Sequence, residues 1–213
     1  DGIGARCMLS FGYMLGNKTI VEGISKVAPG TIMEFSTGAP RAHNYYTVDN
    51  TNVTRQSVGD IINELDDRFK ACVEAEYNKD IEYGYNHLVT LSGGMDSRVA
   101  VDSALRLGFN DLTAFTYSQS NYYDEIIAKK IVEDLGMKHI FISLEKGEYL
   151  VDIDKGSLYQ EGLVLYSGSA HLRHALANIQ TSDYGLIHTG LIGDDIFGFL
   201  LNAPRHVTQS GEI

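Results

Sequence analysis

The stretch His87-Leu88-Val89-Thr90-Leu91-Ser92-Gly93-Gly94-Met95-Asp96-Ser97 decides the fold of this 213-residue chain. Residues 87–91 are a short, mostly apolar, β-prone run, so they predict a strand. Gly93-Gly94 break it, and a helix over about 96–107, closed by Gly108, follows. Strand, glycine loop and helix open a unit whose pattern recurs downstream. A strand is predicted over 112–117, a helix over 123–135 ended by Gly136, and a strand over 139–144. A helix around 169–179 and a strand over 185–189 complete the series. Strands alternating with helices of about a dozen residues predict an α/β fold, a parallel sheet with helices on both faces.

Upstream of that stretch, Ser57 is placed to cap a helix with apolar residues at Ile61, Ile62, Leu65, Phe69 and Val73, close to the helical period. Asp60, Glu64, Asp66 and Asp67 fall on its polar side and read as a solvated surface, since no other ligand type accompanies them. Residues 50–55 turn polar and mark a boundary. Before it, residues 1–49 read as short strands and turns, with Lys18-Thr19-Ile20-Val21 and Thr31-Ile32-Met33-Glu34-Phe35 set off by Pro29-Gly30 and Gly38-Ala39-Pro40. The expected organisation is a β-rich segment over 1–49, a linker over 50–56 and an α/β domain over 57–213.

Bulk composition narrows the partners. With 28 acidic against 17 basic residues the formal net charge is −11, and such a field repels polyanions, which counts against a nucleic-acid partner. No run approaches the roughly 18–20 apolar residues that a membrane span needs, and residues 1–6 do not resemble a signal peptide. Cys7 and Cys72 belong to no metal-ligand spacing, so they read as reduced, buried thiols of a soluble cytoplasmic protein without a membrane partner.

Chemistry concentrates in Ser92-Gly93-Gly94-Met95-Asp96-Ser97. In an open parallel sheet, ligands bind beyond the carboxyl ends of the strands, which is where this loop falls. Two adjacent glycines let backbone N–H groups approach an anion, the following helix directs its positive end at it, and the Ser92 and Ser97 hydroxyls add donors. An aspartate in such a loop would repel phosphate, so Asp96 makes sense when a divalent cation such as Mg²⁺ sits between them. The alternative is a strand terminator with Asp96 as a plain helix cap. Neither the Gly-Lys-Ser/Thr ending of a Walker loop nor a G-x-G-x-x-G is present.

Thr90 to Ser97 resembles the pyrophosphate loop of the asparagine synthetase family, and Thr189-Gly190-Leu191-Ile192-Gly193-Asp194-Asp195-Ile196-Phe197-Gly198 resembles its second motif. Between them, Phe115-Thr116-Tyr117 is similar to the family's adenine-contacting strand, and Asp124-Glu125, Ala128 and Leu135-Gly136 to the stretch after it. Gly12 to Thr19 and Gly23 to Thr31 look like the last part of its glutamine-hydrolysing domain. The resemblance implies an N-type ATP pyrophosphatase domain of the adenine nucleotide α-hydrolase-like fold. It also implies that residues 1–49 are a remnant of an N-terminal nucleophile-type glutaminase domain. ATP would be held by Thr90, Ser92, Gly93, Gly94, Asp96, Ser97, Tyr117, Thr189 and Gly190, with Mg²⁺ on Asp96 and Asp194. The implied reaction adenylates a small-molecule carboxylate, releases pyrophosphate and passes the acyl group to ammonia or an amine.

Three departures accompany it. The family's acidic residue in the second motif falls at Leu191 and its next glycine at Ile192, and neither side chain can act as a base. The glutaminase domain of the family begins with a cysteine, whereas this chain begins at Asp1, and Cys7 is internal. Family synthetase domains also run past the second motif, so the chain ending at Ile213 reads as a fragment. No catalytic residue is assigned. Arg98 either reaches a phosphate or faces solvent. His171 and His174 read as helix-surface residues, Tyr45, Tyr46, Tyr122 and Tyr123 as half-buried packing, and Lys129 and Lys130 as solvent-facing. The competing readings are a lactam- or peptide-cyclising relative, an enzyme activating a tRNA base, which the charge disfavours, and a degenerate nucleotide-binding module without turnover.

Overall fold

The computed structural model describes residues 1–49, 51, 54–151, 153–165, 167–191 and 193. Two compact units divide them, one of residues 1–60 and 147–174, the other of 61–146 and the described residues from 175 onward. The expected boundary over 50–56 leaves residues 147–174 on the other side of this division.

In the first unit, α1 (Gly2–Phe11) opens the chain. A helix here departs from the expected strands and turns, and its cause is local. The Asp1 carboxylate accepts from the Ile3 and Gly4 N–H groups at 2.7 and 2.9 Å, an N-cap that satisfies two donors the helix leaves over. The strand expected over 18–21 is absent, because the Thr19 hydroxyl bonds the carbonyls of Val21 and Ile24 and folds the segment into a turn. The strand around 31–35 does form. It is β1 (Thr31–Glu34), paired antiparallel with β2 (Arg41–Asn44). Two further helices, α5 (Ile153–Tyr159) and α6 (Ser167–Ala177), follow later in the chain.

The second unit is built on a four-stranded, wholly parallel sheet flanked by helices. Helix α2 (Val58–Tyr83) runs well past the predicted apolar positions. Its start is as expected, with the Ser57 hydroxyl accepting the Asp60 N–H at 3.2 Å and donating to the Asp60 carboxylate at 2.7 Å, a reciprocal cap. The acidic side is exposed and laced by Glu64–Arg68 and Asp66–Lys70 pairs one turn apart. Then come β3 (Asn86–Thr90), α3 (Met95–Arg106), β4 (Leu112–Ser118), α4 (Tyr123–Leu135), β5 (Lys138–Ser143) and β6 (Tyr184–His188), each within one or two residues of its predicted bounds.

The strand order is β5-β4-β3-β6. On one face Val89, Leu91, Leu112 and Ala114 are sealed beneath Val73 and Tyr77 of α2, Val101 and Ala104 of α3, and Ala128 and Val132 of α4. Each large side chain so buried contributes about 1.5–3 kcal/mol. Leu88 and Phe115, which point to the opposite face, are fully buried too. A strand buried on both faces explains why residues 87–91 read as a continuous apolar run and not as an alternation. The chain moves from β3 outward to β4 and β5, then returns to the other side of β3 with β6. That reversal puts a topological switch point between β3 and β6, and the crevice beyond their carboxyl ends is where such sheets take ligands.

Candidate nucleotide site

Two sequence motifs almost a hundred residues apart emerge side by side at that crevice. Ser92 to Asp96 follows β3, and Thr189-Gly190 follows β6, with the Thr90 hydroxyl reaching the His188 carbonyl at 3.5 Å. The contact beyond is closer still. A Cβ on Gly190 would lie 2.4 Å from the Asp96 carbonyl carbon and 2.6 Å from the Ser97 nitrogen, and one on Gly193 would lie 2.7 Å from the Asp96 carboxyl carbon. Only glycine lets the second segment lie against the first turn of α3.

The first loop is braced from within. The Ser97 hydroxyl, which is buried, accepts the Ser92 N–H at 3.0 Å, lies 2.9 Å from the Ser92 hydroxyl and reaches the Gly94 carbonyl at 3.3 Å. The Ser92 hydroxyl in turn accepts the Gly94 N–H at 3.1 Å. Ser97 therefore shapes the loop instead of presenting an outward donor. The Gly93 N–H donates to the Asp124 carboxylate at 2.8 Å, and a Cβ on Gly93 would meet Asp124 and Ile127 at 3.2 and 3.1 Å. Gly94 caps α3 with no side-chain hydrogen bond, so the positive end of the helix faces the crevice without a side-chain acceptor. Arg98 is half-buried, and its Nε–H donates back to the Gly94 carbonyl at 3.1 Å.

Asp96 is partly exposed in the first turn of α3, and among the described residues its carboxylate has no hydrogen-bond or ion-pair partner. A lone carboxylate beside an anion-binding helix terminus has the chemistry of a cation ligand, so the residues present fit Mg²⁺. Asp194, its expected partner, lies outside the described residues. Tyr117, near the end of β4, is half-buried, and burial followed by the Asp124 charge pushes its phenol pKa up. Thr116 before it turns inward, its hydroxyl donating to the Leu91 carbonyl at 2.7 Å. Beside Asp96 and Gly190 opens a cavity of about 440 Å³ whose other walls include Phe69, Met95, Val99 and Leu191. Leu191 is 80% exposed at its rim.

Other expectations fall elsewhere. Tyr45, Tyr46, Tyr122 and Tyr123 are exposed and not half-buried, and Cys72 is exposed while Cys7 is buried. Both thiols are free. Lys129 pairs with Glu125 and Lys130 with Asp134. His171 stacks on Tyr149 at 5.6 Å. No helix among the described residues is long and apolar enough to cross a membrane.

Two features escaped sequence reasoning. Asp124 was legible only as part of a similar stretch, and its bond to Gly93 has no local signal. The other is a buried cluster in which the Asp80 carboxylate meets His87 and His188 at 2.9 and 2.8 Å. These three side chains have the composition of a metal site. Their separations, however, are donor–acceptor distances to a single carboxylate oxygen, so hydrogen bonds account for the grouping.

A parallel sheet whose glycine loop and helix N-terminus face the switch point is the architecture of nucleotide-binding α/β domains. The particular family is settled by comparison: residues 64–209 match asparagine synthase, and the chain belongs to that family, one of ATP-utilising, amide-forming or adenylating synthetases. Among solved structures, an NMN synthetase from Francisella tularensis is similar over 57% of this chain and 52% of its own, with 23% identity and a TM-score of 0.40. The match thus spans about half the length of that protein. Comparison with curated proteins finds no match.

Proposed function

We infer that the chain binds Mg·ATP at the crevice between Ser92–Asp96 and Thr189-Gly190 and uses it to adenylate a carboxylate with release of pyrophosphate, before ammonia or an amine takes the acyl group. One observation carries this reading: the Asp96 carboxylate, which has no partner among the described residues, and the uncapped first turn of α3 lie directly against Gly190 and Gly193 of the second motif. A cation ligand and an anion-binding helix end in one place suit a metal–polyphosphate and little else.

Within this reading Thr90, Tyr117, Thr189 and Gly190 border the nucleoside, and the glycine loop and α3 face the phosphates. Asp96, joined by Asp194, would hold Mg²⁺, which neutralises charge on the departing pyrophosphate. The chain's own part is mostly positioning. The Ser92–Ser97 hydroxyl bridge fixes the loop before substrate arrives, so the electrostatic stabilisation costs no reorganisation at the moment of reaction. Asp124 holds the Gly93 N–H and must release it if a phosphate oxygen is to take its place. In the same reading residues 1–49 are a glutaminase-domain remnant and the protein is cytoplasmic.

The family's acidic residue stands at Leu191, and that side chain is exposed beside a cavity with apolar walls. This favours, as second reading, an acceptor amine activated by something other than the second motif, as in a lactam- or peptide-cyclising relative. Pyrophosphate release from ATP, measured against a panel of carboxylic acids with and without free ammonia, tests both. Carboxylate-dependent pyrophosphate with AMP supports adenylation. ATP binding without turnover on any acid would leave a nucleotide-binding module.

A further inference from the structure

The Asp80–His87–His188 cluster is tied to β6, the strand that delivers Thr189-Gly190. Asp80, on α2, is 1% exposed, and His87 and His188 are nearly as buried. Its Oδ1 accepts the Leu186 N–H at 2.8 Å, and its Oδ2 faces His87 Nδ1 at 2.9 Å and His188 Nε2 at 2.8 Å. An ionised carboxylate only accepts, so both ring nitrogens donate. Burial by itself would raise the Asp80 pKa, but the Leu186 N–H and the two imidazoles outweigh it and hold the carboxyl below its usual range. Tyr77 stacks on His188 with centroids 3.7 Å apart and closes the cluster from α2.

The strand β6 is irregular at this point. Asn86 pairs with Tyr184 but Leu88 with Ile187, so two residues of β3 are matched by three of β6. The extra residue is a bulge, uncommon between parallel strands. Asp80 fills it: besides bonding Leu186, its Oδ1 would stand 2.3 Å from a Cβ on Gly185. Glycine there is what admits the carboxylate. Downstream of the bulge, Val89 is paired with His188. Without the bulge, Ile187 would take that place, His188 would turn to the other face, and Thr189-Gly190 would shift along the strand by about 3.3 Å.

We propose that Asp80 is a positioning residue of the nucleotide site: by occupying the bulge and holding His87 and His188, it sets the register of β6 that brings Thr189-Gly190 against Asp96. This rests on the nucleotide reading given above. It also gives Asp80, His87, Gly185 and His188 a task that none of them performs by touching the ligand.

The test is calorimetric titration of the wild-type chain, Asp80→Ala and Asp80→Asn with ATP and Mg²⁺, beside circular dichroism and amide hydrogen exchange at Leu186 and Gly190. Asparagine keeps a carbonyl oxygen for the Leu186 N–H. A misplacement of an ångström or more is expected to weaken binding about tenfold or more in Asp80→Ala, and asparagine to recover most of the loss. Leu186 exchange should quicken in the alanine variant. A folded Asp80→Ala with wild-type affinity overturns the proposal. Should that variant fail to fold, Gly185→Ala, whose Cβ expels the carboxylate from the bulge, is expected to show the same loss, and unchanged affinity there overturns it equally. If the wild-type chain shows no Mg²⁺-dependent binding, the nucleotide reading fails by itself. The register claim is then decided by exchange alone, with equal protection of Leu186 in wild type and Asp80→Ala counting against it.

Discussion

Replacing Gly190 by alanine perturbs the junction of the two motifs with the smallest possible change. The added Cβ would lie 2.4 Å from the Asp96 carbonyl carbon and 2.6 Å from both the Asp96 oxygen and the Ser97 nitrogen. All three are backbone atoms in the first turn of α3, which cannot rotate away as a side chain would. Ordinary contact begins near 3.4 Å, so one segment must retreat from the other by about 1 Å. Overpacking of this kind costs roughly 1–3 kcal/mol of stability. A displacement of about 1 Å at a substrate-positioning group weakens function by up to about a hundredfold. The expected result is a lowered melting temperature together with a Kd for Mg·ATP raised about ten- to a hundredfold. Calorimetry and thermal denaturation read the two effects separately. Gly38→Ala is the control, since nothing lies within 4 Å of its Cβ and a surface substitution of that kind stays within about 0.5 kcal/mol. A Gly190→Ala chain that keeps both wild-type stability and wild-type affinity would refute the packing of Thr189-Gly190 on α3.

Three further outcomes follow from particular side chains. Leu191→Glu introduces the family's acidic residue at an exposed position, so stability should move by no more than about 0.5 kcal/mol, while amide formation with free ammonia should quicken; an unchanged rate would place Leu191 away from the acyl acceptor. With a thiol reagent, Cys72 should react in the native chain and Cys7 only on unfolding, and equal rates would contradict their burial. Because the folded Asp80 carboxyl is held below its unfolded value, its contribution is fully present above the ordinary aspartate range near pH 4 and is lost as pH falls through the depressed value. Asp80→Asn should therefore flatten the acid limb of the stability profile, and an identical limb in variant and wild type would deny Asp80 that part.

Sequence legibility followed the range of the interactions involved. The strand, loop and helix from residue 86 to 106 lay within one or two residues of prediction because its signals are local: an apolar run, two glycines, and helix formers after them. Helix α1 was missed because Gly2 and Gly4 are poor helix formers. It exists through the Asp1 cap and a close approach, a Cβ on Gly4 falling 2.1 Å from the Thr19 carbonyl oxygen. Tertiary contact there overrides propensity. At the site, Asp96 was legible from the chemistry of its glycine loop and Thr189-Gly190 from resemblance, but that Gly190 touches the Asp96 backbone depends on β6 lying beside β3, and on a bulge no periodicity reveals. Ser97 was read as an outward donor, while its hydroxyl faces the loop interior because Ser92 N–H needs an acceptor. Asp80, His87 and His188 are separated by 7 and 108 positions from carboxylate to imidazole, so nothing in the linear order joins them.

The central claim is that Asp96 and the α3 terminus hold a metal-bound polyphosphate. Calorimetric titration of the chain with ATP, in the presence and absence of Mg²⁺ and repeated on Asp96→Asn, tests it most directly. The account predicts metal-dependent binding in the wild-type chain that is lost in Asp96→Asn with no change in melting temperature, since the Asp96 carboxylate has no partner among the described residues. Binding of equal strength in the variant, or binding indifferent to Mg²⁺, would contradict it.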